Sequence, residues 1–113
     1  MFKVEITLPL TQHDGTSNCD QIVEIEQAIA KQFNGYSCQE VSGGWYDQET
    51  GEFYIDHSVL LWTFVQSQEQ VDAIMEQAPA WAEALQQIEL LVTVSQASVY
   101  FVVGTRAQAL QAA

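Results

Sequence analysis

Two histidines, a group of aromatic rings and a few carboxylates carry most of the chemistry this chain offers. His57 directly follows Asp56, and imidazole titrates near neutrality, so a histidine beside a carboxylate is common material for acid–base work. With Tyr54 two residues upstream, the candidate catalytic residues are His57, Asp56 and Tyr54. Trp45, Tyr46, Tyr54, His57 and Trp62 are candidate ligand-binding residues, because aromatic faces suit a flat ligand and tyrosine hydroxyls supply polar handles. His13 and His57 with a carboxylate are weak candidate ligands for zinc or nickel; no metal and no cofactor are expected.

Each of these has a structural alternative that carries more weight. Neighbouring strand residues point to opposite faces, so Asp56 and His57 form no dyad on a regular strand, and His57 reads as a structural histidine at the strand entrance. Trp45, Tyr46 and Tyr54 suit cross-strand aromatic pairing, and Asp14-Gly15 suits a turn. Cys19 and Cys38 form no C-x-x-C pair and have no basic neighbour in sequence to activate a thiolate; they are expected to be packing thiols. The chain has no G-x-S-x-G elbow, phosphate loop, G-x-G-x-x-G or H-E-x-x-H.

The elements that must position these residues are legible in the patterning. Phe2, Val4, Ile6 and Leu8 alternate with Lys3, Glu5 and Thr7, which predicts a half-buried strand ended by Pro9. A polar loop follows over residues 11–17. A helix is expected from near Asn18, with Asn18 and Gln21 as a capping box, Ile22, Ile25, Ile29 and Phe33 on one stripe, and Asn34-Gly35 as the stop. A second strand over residues 36–41 leads into a long hairpin, with Gly43-Gly44 expected to form a bulge or a close backbone approach. The hairpin turns over residues 47–51, where Gly51 suits positive φ, and returns from Glu52. From residue 59 to 65 the return arm is apolar on both faces except at Thr63, so it wants cover on both sides. A second helix opens at Glu69-Gln70 and meets Pro79 at an expected kink or restart; Ile88, Leu91 and Val92 keep its spacing and favour a helix to about Val92, while Leu90-Leu91-Val92-Thr93-Val94 also has strong strand propensity. A turn near Ser95-Gln96, a last strand over residues 98–103 and a frayed or disordered tail over 104–113 complete the reading, with residues 1–103 as one domain.

Composition bounds the partners. The 113 residues suffice for one domain, and 48% hydrophobic content without a run of about 20 apolar residues predicts a soluble protein. Fifteen acidic residues against Lys3, Lys31 and Arg106 give a net charge of −12, which excludes a nucleic-acid backbone or an anionic membrane as partner. The first residues carry no charged and apolar leader pattern, so a cytoplasmic, reduced setting is expected.

The order β-α-β-β-α-β predicts an α+β ferredoxin-like plait, a four-stranded antiparallel sheet with both helices on one face. Leu60, Trp62 and Phe64 would leave the other face apolar, and covering it predicts a homodimer of the dimeric α/β-barrel type, with sheets packed face to face. Leu8-Pro9-Leu10, Asp14-Gly15, Phe33-Asn34-Gly35, Gly44-Trp45, Gly51, Asp56 and Gln96-Ala97-Ser98-Val99-Tyr100 together resemble a group of small uncharacterised bacterial ferredoxin-like proteins. The resemblance spans the chain from Phe2 to about Val103. The chain has Phe-Asn-Gly where that group tends to have Phe-Gly-Gly, and Gln96-Ala97 where it often has Gln-Glu. It implies the fold and a late last strand, and no activity. The favoured functional reading is a non-catalytic module binding a small apolar or aromatic ligand, or another protein, as a dimer. A cofactor-independent enzyme using His57, Tyr54 or Asp56, and a structural subunit, are the alternatives.

Overall fold

The computed structural model describes residues 1–105. In chain order the elements are β1 (Phe2–Pro9), α1 (Cys19–Phe33), β2 (Ser37–Tyr46), β3 (Phe53–Val65), α2 (Gln68–Ala84) and β4 (Val92–Gln96). The four strands form one antiparallel sheet in the order β2-β3-β1-β4, an α+β arrangement consistent with a ferredoxin-like fold.

Alternation in β1 and β3 decides which side is the core. The register sets Val4 opposite Thr63, Ile6 opposite Leu61 and Leu8 opposite Val59, so all six side chains share one face. There they meet Ile22, Ile25 and Ile29 of α1 and Val71, Ile74, Ala78 and Trp81 of α2 in a single buried cluster. Ile6, Leu8, Ile29, Leu61 and Ile74 are fully buried, each contributing about 1.5–3 kcal/mol by leaving water. Thr63, a buried polar residue on this face, is satisfied by donating to Gly35 O at 2.8 Å.

The helix ends differ from the expected capping. Asn18 does not cap α1 with its side chain; Ser17 Oγ accepts from the Cys19 amide at 3.1 Å, and the Asn18 amide turns into the core. At the other end Asn34, with φ 72°, takes the left-handed position of the stop. α2 opens on a reciprocal cap: Ser67 Oγ accepts from the Gln70 amide, and Gln70 Oε1 accepts from the Gln66 amide at 2.7 Å. It runs through Pro79 as one helix and stops at Ala84, well short of Val92. The stop is a Schellman motif: the Gln86 amide donates to Glu83 O, the Gln87 amide donates to Ala82 O, and Gln86 has φ 56°.

The early stop moves the last strand forward. Residues 92–96, not 98–103, pair with β1, with Ile6 opposite Val92 and Phe2 opposite Gln96. Residues 98–103 instead form an irregular and largely exposed segment. The expected bulge at Gly43-Gly44 is also absent, since β2 and β3 stay in register from Ser37–Trp62 to Tyr46–Phe53. Gly44 is instead the close approach, where a Cβ would come within 2.6 Å of the Phe53 ring. Cys19 and Cys38 are both exposed, so neither is a packing thiol. The expected tail over 104–113 lies, from residue 106 onward, outside the described residues.

β1 ends opposite Ser58, so the hairpin beyond that point is a bare two-stranded ribbon. The projection stretches the molecule to 64 × 28 × 26 Å, with a radius of gyration of 17.4 Å against about 13 Å for a compact chain of this length. No helix among the described residues is long and apolar enough to cross a membrane.

Candidate functional site

The outer face of the sheet becomes a cleft where β1 runs out and the hairpin carries on. The register sets Thr7 and Pro9 of β1 beside Ser58 of β3, which gives the floor. Trp45, Tyr54 and Asp56 rise on the same face of the ribbon as one wall. The segment between α2 and β4 brings Gln87, Glu89 and Leu91 to the opposite side, held by the Thr7 amide donating to Leu91 O at 3.0 Å. Thr11, Gln12 and His13 close one end, and the space enclosed is about 940 Å³. That is within the usual size of a small-molecule site.

The ends of these segments are tied together by one buried side chain. Asn18 Nδ2 donates to Pro9 O at 3.1 Å and to Leu85 O at 3.2 Å, while its Oδ1 accepts from Gln12 Nε2 at 3.2 Å. The end of β1, the loop of residues 10–17 and the exit of α2 are thereby fixed relative to one another. Within that loop Asp14 Oδ1 accepts from the Thr16 amide at 2.9 Å. Hydrogen bonds from the Thr16 side chain and backbone hold the Asp14 carboxyl below its usual range.

On the ribbon wall, Trp45 and Tyr54 stack across the strands with ring centroids 4.7 Å apart and planes inclined by 20°. This is the cross-strand pair expected of them, and it leaves a broad aromatic edge open to the cleft. The Tyr54 hydroxyl donates to the Glu52 carboxylate, a bond that raises the phenol's pKa. Tyr54 is therefore held as a donor rather than prepared as a base. Asp56 and His57 point to opposite faces, and His57 Nδ1 is hydrogen-bonded to Ser42 Oγ at 3.0 Å, so they form no dyad.

All three candidate catalytic residues, His57, Asp56 and Tyr54, border the cleft, as do Trp45 and His13. Tyr46 does not, because it lies on the face opposite Trp45. Trp62 shares the outer face but sits further along β3, beneath Lys3, whose ammonium is 5.3 Å from its ring and pairs with Glu5 at 2.8 Å. Among the described residues no three His, Cys, Asp or Glu side chains are placed to hold a metal ion. Gln87 and Glu89 were hidden from sequence reasoning by the expected continuation of α2. Among the described residues the lining includes two carboxylates, Asp56 and Glu89, and neither Lys nor Arg.

The architecture is that of a small α+β protein whose hairpin overhangs a cleft at one end of an antiparallel sheet. Among solved structures it is similar to a phage SAM lyase in complex with S-methyl-5′-thioadenosine, with a TM-score of 0.65 and 19% identity over 84% of this chain and 80% of that one. The same description of a phage SAM lyase in its apo state gives a TM-score of 0.64 and 19% identity, covering 92% of this chain and 90% of that one. At that identity the likeness speaks for the fold. No protein-family model matches the sequence, and comparison with curated proteins returns no match.

Proposed function

We propose that the cleft binds a flat small molecule bearing positive charge, of the adenosine sulfonium class, or the thioether derived from it, within a ferredoxin-like plait. The observation that carries this reading is the lining: an aromatic stack, Trp45 on Tyr54, stands with two carboxylates, Asp56 and Glu89, and two imidazoles, His13 and His57, and among the described residues neither Lys nor Arg joins them. Such a site attracts a cation, offers a ring a stacking surface and repels phosphate. SAM is a sulfonium, and the similar phage enzyme is described with S-methyl-5′-thioadenosine, the neutral thioether of the same nucleoside. The long hydrogen-bonding side chains of Gln12 and Gln87 supply the polar contacts an adenine or ribose would need.

Titration calorimetry with SAM and with S-methyl-5′-thioadenosine tests it. The expected result is binding of both, weakened about tenfold or more in Trp45→Ala, with the sulfonium preferred and that preference lost in Asp56→Asn/Glu89→Gln. Absence of binding at millimolar ligand refutes the proposal. A second reading, an enzyme that cleaves such a ligand, is favoured by the presence of Tyr54, Asp56 and His57 around one cleft. Release of the thioether from SAM, followed by chromatography, decides between binding and turnover.

The outer face around Leu60, Trp62 and Phe64 supports self-association, with Phe64 still exposed and Leu60 and Trp62 half-buried. On this reading a second copy covers the face, and Trp62→Glu converts the dimer to monomer in light scattering. An unchanged mass would remove this face from the interface.

A further inference from the structure

The described residues close on an exposed apolar segment that joins no sheet, and the sheet ends in an edge without protection. Residues 98–103, Ser-Val-Tyr-Phe-Val-Val, carry no charge in a protein of net charge −12, yet Tyr100, Phe101 and Val102 are 82%, 81% and 90% exposed. The segment leaves from the end of β4, after the Ala97 amide donates to Met1 O. Because it follows directly from β4, at one margin of the sheet, it stands apart from β2 at the other.

β2 is the matching vacancy. It pairs with β3 on one side only, and an edge of this kind is ordinarily blunted by lysine, proline or a bulge. β2 has none of the three: it reads Ser-Cys-Gln-Glu-Val-Ser-Gly-Gly-Trp-Tyr, keeps register throughout, and is uncharged from Val41 to Tyr46. Its outer half belongs to the bare ribbon, which is apolar on both faces, with Trp45 and Tyr54 on one and Tyr46, Phe53 and Ile55 on the other. A two-stranded ribbon is marginal alone, whereas a third strand stabilises it. The segment fits on both sides, since alternation sends Val99, Phe101 and Val103 one way and Tyr100 and Val102 the other. The free edge of β4 fits less well, because Thr93 and Ser95 make one of its faces polar.

We infer that residues 98–103 of one copy add as a strand to the β2 edge of a second copy, and that this contact, the rival of face-to-face packing through Leu60, Trp62 and Phe64, is how the protein associates. The exposed surface is large enough. Tyr46, Phe53, Tyr100 and Phe101 each leave on the order of 100–200 Å² in water; in a reciprocal pair each copy contributes both donor and acceptor surfaces, and with Ile55, Val102 and Val103 these approach the ~800 Å² per partner of a standard interface. Main-chain hydrogen bonds supply affinity, as in other strand-addition contacts, and the absence of charge from residues 98–103 and from the outer half of β2, Val41 to Tyr46, lets them meet despite the acidic net charge. The donor and acceptor surfaces differ, so copies join head to tail and close as a ring or as a reciprocal pair. The added strand lies beside Trp45 and lengthens the aromatic wall of the cleft with a side chain from the neighbour.

The test uses the full chain and the variant Val102→Glu, chosen because a side chain this exposed contributes little to the fold of a single copy. Light scattering at about 50 µM is expected to give a multiple of 12.6 kDa for the wild type and 12.6 kDa for Val102→Glu, with unchanged circular dichroism. Hydrogen exchange supplies the second measurement: amides of residues 98–103 and the outer amides of β2 are protected together in the wild type and lose at least tenfold protection together in the variant. A monomeric wild type, a Val102→Glu protein of unchanged mass, or freely exchanging 98–103 amides in the oligomer overturns the inference. So does an oligomer that Trp62→Glu dissociates and Val102→Glu leaves intact.

Discussion

Removing the Asn18 amide is expected to loosen the cleft and the fold together. The side chain is fully buried and makes three hydrogen bonds, to Pro9 O, to Leu85 O and from Gln12 Nε2. In Asn18→Ala the three fates differ. Leu85 O keeps a second partner, Gln87 Nε2 at 3.1 Å, and Gln12 is exposed enough to find water, whereas Pro9 O loses its side-chain donor. One orphaned carbonyl costs about 1–3 kcal/mol and each of the other two lost bonds about 0.5–1.5, so the total is about 2–6 kcal/mol. In urea that lowers the midpoint by roughly 1–3 M at a slope of about 2 kcal/mol/M, usual for small domains. Asn18→Asp separates donor loss from cavity formation, because it keeps the shape and the acceptor but sets a carboxylate against two carbonyl oxygens. Its folded pKa is then raised above the unfolded value near ~3.9. Its stability is best below that value and is lost as pH rises through the folded pKa. Urea titrations of the wild type and both variants at pH 4 and pH 7 provide the assay. A loss under ~1 kcal/mol for Asn18→Ala, or an Asn18→Asp protein as stable as wild type at pH 7, refutes the reasoning.

Two further outcomes follow from the turns that frame the cleft. Gln86→Gly relieves a left-handed residue at the exit of α2 and is expected to raise stability by ~0.5–1 kcal/mol, read from the urea midpoint; a loss would mean that the Gln86 side chain, which donates to Glu83 O, outweighs the backbone strain. The Asp14–Thr16 turn is expected to depend on acidity: a carboxyl whose folded pKa is lowered stabilises the turn above its unfolded value and releases it as pH falls through the folded one. The Thr16 amide resonance should therefore move at lower pH than a free aspartate would dictate, and should lose that movement in Asp14→Asn.

Where side-chain pattern alone decides structure, the chain was legible. Alternation in β1 and β3 and the isoleucine stripe of α1 define which faces meet, and burial follows them residue by residue. The second half was misread at a single point. Leu85, Ile88, Leu91 and Val92 continue the spacing of α2, but helices end for backbone reasons as well as side-chain ones. Here Gln86 takes a conformation usually given to glycine, closing a Schellman motif that no glycine announces. Ending α2 eight residues early places Leu91 beside Thr7, pairs residues 92–96 with β1 and leaves residues 98–103 without a sheet in the single chain.

The site shows the same division between local and distant causes. The stacking of Trp45 on Tyr54 and the opposed directions of Asp56 and His57 depend only on neighbouring register, and the sequence expresses both. The far wall of the cleft depends on where α2 stops and on how its exit is tied to β1, a tie made by Asn18 sixty-seven residues away from Leu85. A buried asparagine at a helix entrance reads in sequence as an N-cap, because that is the commonest use of its short polar side chain. The fold gives that duty to Ser17 and spends the amide on three segments that have no local reason to be together. Glu89 belongs to the candidate site for this reason: the early stop of α2 and the Asn18 tie bring residues 87–91 to the cleft, where Glu89 joins Asp56 among the lining residues.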